Sequence, residues 1–383
     1  MLALPMLLVC GVLDVDSVAG PFFEVRDAVS AAASGDIIRV APGNYSYFGI
    51  FGKEITIVNS SASGEVRVSG TVRIQGIGPG EQVLLDGIDI EAAPGSGDPA
   101  LLLAHCDGSV RLQDGEFHGM DVAGVRLLDC SDVVLTNCTA LSDSGSAVHA
   151  TSSHLTLGGG AYFGASFELQ SFYAGRAGAA GLYLEGGTTF VSGSTVVGGS
   201  GGEGLMSAFG CWPEPGPGGN GVTAIDTDVE ILGAMVLGGE GGVGFNCLNA
   251  EAGVPVALLG GATETAHPGA AVRLDIGPAI QQEGGTLVAI ADGDAGSPLL
   301  LVVGLRAGRS NLPAGFVGEL FIGGPLGSQR RVFLGAAPAS LPLTLPELSP
   351  FGIAEFEFQA VQLRATAAVT GEVRGLRVLD RGW

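Results

Sequence analysis

Six five-residue segments of this chain can be laid over one another: 83–87, 110–114, 133–137, 155–159, 189–193 and 229–233. Each reads apolar, any, apolar, any, then a residue that tolerates a left-handed backbone, with Thr189 in one apolar place. Alternation of this kind makes a short strand with one buried face. The fifth residues, Gly87, Asp114, Asn137, Gly159, Gly193 and Gly233, are of the types that accept positive φ at least cost. Three residues further on an apolar side chain returns, at Ile90, Phe117, Ala140, Tyr162, Val196 and Val236. The chain turns a tight corner there and begins another strand.

Successive segments begin 27, 23, 22, 34 and 40 residues apart, and a short period with occasional insertions is the signature of a solenoid. One tight corner per unit, with longer irregular stretches closing the circuit, fits a parallel β-helix better than a propeller or sandwich. The 66 glycines and 19 prolines, with only 15% charged residues, agree with a turn-dense all-β chain. Residues 13–16 read as a first strand. Residues 22–33 read as a helix with Phe22, Val25, Ala28, Val29 and Ala32 on one side, placed to cap the first rung. Beyond residue 254 the period is lost, and from Pro298 longer strands predict a compact antiparallel β-sandwich. The expected organisation is therefore residues 1–12 as the remnant of a secretion signal or a hydrophobic strand, 13–275 as parallel β-helix, 276–297 as transition and 298–383 as sandwich.

Residues 23–45, FEVRDAVSAAASGDIIRVAPGNY, followed by 52–58, GKEITIV, resemble the amino-terminal opening of right-handed parallel β-helix proteins of the pectin-lyase-like superfamily. The resemblance implies a capping helix plus first rung, and a substrate groove lined by the strand that precedes each corner strand. It is silent on the reaction, because lyases, hydrolases, epimerases, adhesins and phage spikes share the opening. The Gly-Gly-rich insertions and apolar carboxyl-terminal β-region are also similar to secreted planctomycete-type proteins of unassigned function. The paired aspartates, His-Gly and Arg-x-Lys of the superfamily's polygalacturonases are missing, as is the Asp-His strand of its pectate lyases.

With 39 acidic and 17 basic residues the formal net charge is −22, so nucleic acid and anionic membranes are disfavoured partners. A polyanionic glycan would be repelled unless a divalent cation bridged it, whereas a neutral glycan meets no such penalty. No segment reads as transmembrane, and a secreted or cell-surface location is expected. The partners expected are a polysaccharide or cell-envelope component, with self-association through the carboxyl-terminal domain. Cys106 with Cys130, and Cys211 with Cys247, are disulfide candidates by position, with buried free thiols as the alternative.

In the strands before the corners, alternation sends Leu102, Arg126, His149, Tyr183 and Thr223 outward in one row. Arg126, His149 and Tyr183 are the candidate catalytic or glycan-binding side chains, with Glu185 and Trp212 as further binding candidates. Ordinary solvent-facing side chains are the competing reading. Asp129, Glu185 and Asp226, just after those strands, could add carboxylates, but turn positions commonly carry Asp for backbone reasons. Asp86 with Asp89 looks like a carboxylate pair. Asp292 and Asp294 could hold Ca²⁺, though no cofactor is required. Two functions stay open: a structural, adhesive or glycan-binding protein, and a polysaccharide lyase or glycoside hydrolase.

Overall fold

The computed structural model describes residues 11–61, 63–167, 175–204, 206–207, 210–211, 214–244, 248–276, 280–282, 285–304, 306–310, 316–317, 320–322, 330–345, 353–364 and 368–379. The first unit is a parallel β-helix with three faces. Face one stacks Gly49–Phe51, Val72–Gln75, the first halves of four long strands, then Val222–Ile225 and Val256–Leu259. The long strands are Leu101–Gln113, Val125–Thr136, Val148–Gly158 and Leu182–Ser192. Their second halves belong to face two, which starts at Val12–Val15 and ends at Thr263–His267. Face three runs from Gly43–Ser46 to Met235–Leu237.

All six expected corner residues have left-handed φ, from 50° at Asp114 to 69° at Gly159. Asn137 Nδ2 also donates to Asp114 Oδ1 of the preceding rung at 2.7 Å, tying corner to corner. A second column of corners lies between faces one and two, anticipated only at Asp129 and Asp226. It comprises Gly52, Gly76, His105, Asp129, Ser152, Gly186, Asp226 and Gly260, every one at positive φ. Inward positions stack like with like: Val83, Val110 and Val133 in one row, Leu85, Leu112, Leu135 and Leu157 in another, all buried. Burying each such side chain is worth roughly 1.5–3 kcal/mol.

The amino-terminal end is closed by the helix Val25–Ala31, shorter than the sequence suggested. Val25, Ala28 and Val29 are buried beneath it. Its residue Glu24 does not cap its own helix; the carboxylate instead accepts from Ser46 N at 2.9 Å on the first rung. Lys53 Nζ donates to the last-turn carbonyls of Val29 and Ala32. Val12 pairs with Ile37 and so belongs to the coil. The expected secretion-signal remnant falls almost wholly on residues 1–10, outside the described residues.

The glycine-rich insertions are not loose turns. They leave face-three strands, return into face-one strands, and hydrogen-bond to one another in a slab. One row of bonds runs from Ala165 N to Gly145 O, then Ala179 N to Ala165 O, Gly199 N to Ala179 O, Gly219 N to Gly199 O, Gly239 N to Gly219 O and Gly253 N to Gly239 O, all 2.7–3.0 Å. A second row links Arg176, Gly202, Gly216, Gly242 and Ala250. Bonded residues fall three apart, as in 199 and 202, 216 and 219, 239 and 242, the repeat of a polyproline-II chain. A Cβ at Gly199 would lie 1.8 Å from Ala165 O, and one at Gly253 1.9 Å from Gly219 O. None of these glycines has left-handed φ, so close approach of main chains, not backbone freedom, requires them.

Among the described residues three further sheets form the carboxyl-terminal unit, the smallest being Arg306–Ser310 paired antiparallel with Leu320–Ile322. Arg273–Asp275, Thr286–Asp292 and Ala339–Thr344 make an antiparallel one, so part of the stretch read as transition is strand. The largest pairs Pro298–Gly304, Arg330–Ala336, Ile353–Leu363 and Ala368–Leu379 antiparallel, with Ile280–Gln282 and Phe316–Val317 added parallel. Leu274, Leu287, Leu299, Leu301 and Phe358 of this unit share one apolar cluster with Phe190 and Leu232 of the coil. The unit therefore packs on the side of the coil, over face two, with Ala368–Leu379 against Val125–Thr136 and Val148–Gly158. A Cβ at Gly233 would meet Ala271 N at 2.4 Å, so this corner glycine serves the docking as well as the turn.

Candidate functional site

Strand register places Leu102, Arg126, His149, Tyr183 and Thr223 side by side on the outside of face one. Neighbouring rungs are about 4.8 Å apart. Two residues along, Ala104, Leu128, Thr151, Glu185 and Ile225 form a second outward row. Glu185 is thus a member of the site, not a corner residue. Apolar Leu102, Ala104 and Leu128 flank the polar group on one side and Ile225 on the other. Asn220, where the glycine slab rejoins face one, donates to Thr223 Oγ1 at 3.1 Å and accepts from Val254 N at 3.1 Å, fixing slab to groove.

The imidazole of His149 stands edge-on to the Tyr183 ring, centroids 4.9 Å apart. The Tyr183 hydroxyl donates to Glu185 Oε1 at 3.1 Å, and His149 Nε2 is 3.9 Å from Glu185 Oε2. Burial, reinforced by the Arg126 charge, holds the His149 pKa below the usual histidine value, against the pull of Glu185. Burial and then Glu185 raise that of Tyr183. His149 is therefore a neutral imidazole at neutral pH. The Nε of Arg126, on the preceding rung, is buried without a hydrogen-bond partner, and His149 Nε2 is buried with Glu185 as its nearest partner, beyond hydrogen-bond distance. Leaving such a group unpaired costs roughly 1–3 kcal/mol. The set can donate from Arg126, exchange a proton at His149 and present a carboxylate-held hydroxyl at Tyr183.

Other expected candidates sit elsewhere. Asp129 is a left-handed corner residue 3.3 Å from His105 Nδ1. Asp226 is another corner, its Oδ1 accepting from Gly261 N at 2.6 Å. Asp86 ends a face-two strand while Asp89 lies on face three, so they do not form a pair. Asp89 instead accepts from Glu116 N at 3.0 Å in a carboxylate-rich cup of about 270 Å³, where Glu65 is held by Arg67 at 2.6 Å. Asp294 is bound to Arg364 Nε at 2.7 Å and to Ala270 N at 2.7 Å, a latch of the carboxyl-terminal unit. Asp292 caps its own turn through Gly293 N. Among the described residues no three His, Cys, Asp or Glu side chains gather to hold a metal.

Cys106 and Cys130 do meet in register, but as free thiols and not as a disulfide. Their sulfurs lie within hydrogen-bond reach of strand carbonyls, Cys106 of Ala104 O at 3.5 Å and Cys130 of Leu128 O at 3.4 Å. That satisfies both inside the core. Trp212 and Cys247 lie outside the described residues, as does the side chain of Cys211.

No family model and no curated protein matches the sequence. Solved structures similar to it include ORF18 of Geobacillus virus E2, at 11% identity and TM-score 0.33, over 95% of this chain and 76% of that one. Tailspike protein 2 of the Escherichia coli O157:H7 bacteriophage CAB120 is similar at 10% identity and TM-score 0.35, over 90% of this chain and 62% of that one. The A-module of an Azotobacter vinelandii mannuronan C-5 epimerase is similar at 10% identity and TM-score 0.26, over 63% and 94%. At these scores no activity or substrate carries over from them. What the chain's own strand order establishes is the fold: an all-β parallel β-helix with a capping helix and a small, mainly antiparallel carboxyl-terminal unit.

Proposed function

We propose that face one binds an extended glycan chain lying along the coil axis across the rungs of Arg126, His149 and Tyr183. The observation that carries this reading is the register that lines up Arg126, His149 and Tyr183 on the outside of one face, with Glu185 held by the Tyr183 hydroxyl. A row of one polar side chain per rung, bordered by apolar ones, suits a polymer of hydroxylated rings. Placement outside the cell, as in the secreted proteins that the sequence resembles, belongs to the same reading. No cofactor enters it, and Ca²⁺ would serve only to bridge an acidic glycan.

A second reading, catalysis on the bound chain, is favoured by the neutral His149 beside the Tyr183 and Glu185 pair. Glu185 is the one carboxylate in the two outward rows, so a two-carboxylate hydrolase does not fit there. Proton abstraction of the lyase type does. Calorimetric titration with neutral and acidic glycans, with and without Ca²⁺, tests the binding reading, and assays for unsaturated or reducing ends test the catalytic one. Binding without turnover supports the first. Turnover abolished by His149→Ala establishes the second. No binding by any glycan, with a folded protein, removes both.

A further inference from the structure

We infer that the binding face runs on from Arg126 to the first rung of face one and that Phe51 is a stacking platform there for a pyranose ring of the same glycan. The inference rests on the binding reading of face one and narrows its ligand to a long, linear chain of pyranose units. Main-chain pairing carries the two outward rows past Leu102 and Ala104 to Arg73 and Gln75, and then to Gly49 and Phe51. Phe51 therefore stands in the row of Glu185, and Gly49 in the row of Arg126, His149 and Tyr183. Five strand spacings, about 24 Å, separate the rung of Phe51 from that of Tyr183.

Phe51 is 57% exposed, although a phenyl side chain is among those most often buried. It does not stand up from the sheet. A Cβ built at Gly49 would lie 2.5 Å from Phe51 Cε2 and 2.6 Å from its Cζ, so the ring lies down along its own strand, in the place that a side chain at 49 would take. Gly49 does not have left-handed φ, and the ring, not the backbone, requires a glycine there. The corners beside this end raise no wall over the ring. Gly52 and Gly76 directly follow Phe51 and Gln75, and a Cβ at Gly76 would meet nothing within 4 Å.

Polar groups flank the ring as they do at the other end of the row. Arg73 Nη2 donates to Asp98 Oδ2 at 2.8 Å, which orients a guanidinium still 40% exposed. Gln75 adds a half-buried carboxamide next to Phe51 in the same row. An aromatic ring offers its apolar face to the C–H side of a sugar, while amide and guanidinium groups take the hydroxyls at the rim. Tyr183 supplies a second ring five rungs away, and apolar Leu102 and Ala104 lie between the two polar groups. Each further sugar seated along this line adds contact without a new loss of overall rotational and translational freedom. Affinity therefore climbs with chain length until the glycan reaches both rings.

Calorimetry on the full chain with cello-, xylo- and mannuronate oligomers, from dimers to octamers, tests the inference. In the series that binds, affinity should rise at least about tenfold from trimer to hexamer. Phe51→Ala should abolish that gain and Phe51→Trp should keep it, while Arg67→Ala on face three should leave it as in the wild type. Melting curves confirm that each variant is folded. A ring that only shields its strand would lower the melting temperature of Phe51→Ala and leave the gain with length intact. That result, or affinity that stops rising at the trimer, overturns the inference, and the face-one reading still stands where Arg126→Leu weakens binding. No binding by any oligomer, or binding indifferent to Arg126→Leu, removes the face-one reading and this inference with it.

Discussion

His149 and Tyr183 face one another across a single rung, ring planes at 81° and centroids 4.9 Å apart, because strands Val148–Gly158 and Leu182–Ser192 pair residue for residue. Arg126 precedes them by one rung. The three are held in line by main-chain hydrogen bonds of the coil, not by one another, so the row can be altered without unwinding the scaffold.

Arg126→Leu should therefore separate binding from stability. It removes a buried guanidinium nitrogen without a partner, so unfolding free energy is expected to stay level or rise by about 1 kcal/mol. Glycan affinity should fall at least about tenfold. Denaturant melts and calorimetry on the same preparation check both.

The depressed pKa of His149 fixes a pH dependence. Below the unfolded value of about 6.5 the unfolded chain takes up a proton that the folded chain still refuses. Stability thus falls as the pH drops from about 6.5 through the lower folded pKa, and this group leaves it unchanged at pH well above the unfolded value. His149→Gln should flatten this part of the profile, seen in melting temperatures between pH 7.5 and 5.

Gly219→Ala probes the slab. Its Cβ would sit 2.1 Å from Ala179 O and 2.7 Å from Gly178 O, both backbone atoms that cannot swing aside. A loss of about 1–3 kcal/mol is expected. Gly76→Ala, at φ 68° with nothing within 4 Å, pays only the left-handed backbone and should lose about 1 kcal/mol.

Asn137→Val forces a β-branched residue to φ 53° and removes the 2.7 Å bond to Asp114. A loss of about 1–2 kcal/mol is expected. An unchanged melting temperature would contradict the role given to the corner ladder.

Much of the coil was legible because one short pattern reports two things at once. Alternation in 110–114 or 133–137 gives side-chain direction, and Asp114 or Asn137 gives the corner. Of the second corner only Asp129 and Asp226 were legible as turn residues; the column as a whole was hidden because His105 is not a turn-forming type and the long strands run through it. The slab was hidden because glycine leaves no side-chain pattern, although the three-residue spacing of Gly199 and Gly202, or Gly239 and Gly242, was its trace. Leu84, Val134 and Phe190 stand at outward places yet are buried; apolar residues on the supposedly wet side of face two were the sign of a covered face. The row of Arg126, His149 and Tyr183 was legible from register, but the burial of the Arg126 and His149 nitrogens depends on packing that no sequence pattern records.

The most direct measurement is a calorimetric titration of wild type, Arg126→Leu and the face-three variant Arg67→Ala with the glycan panel. Binding that survives Arg67→Ala and falls at least about tenfold in Arg126→Leu is predicted. Equal affinity in all three, or loss only in Arg67→Ala, would place the glycan elsewhere and contradict the assignment of face one.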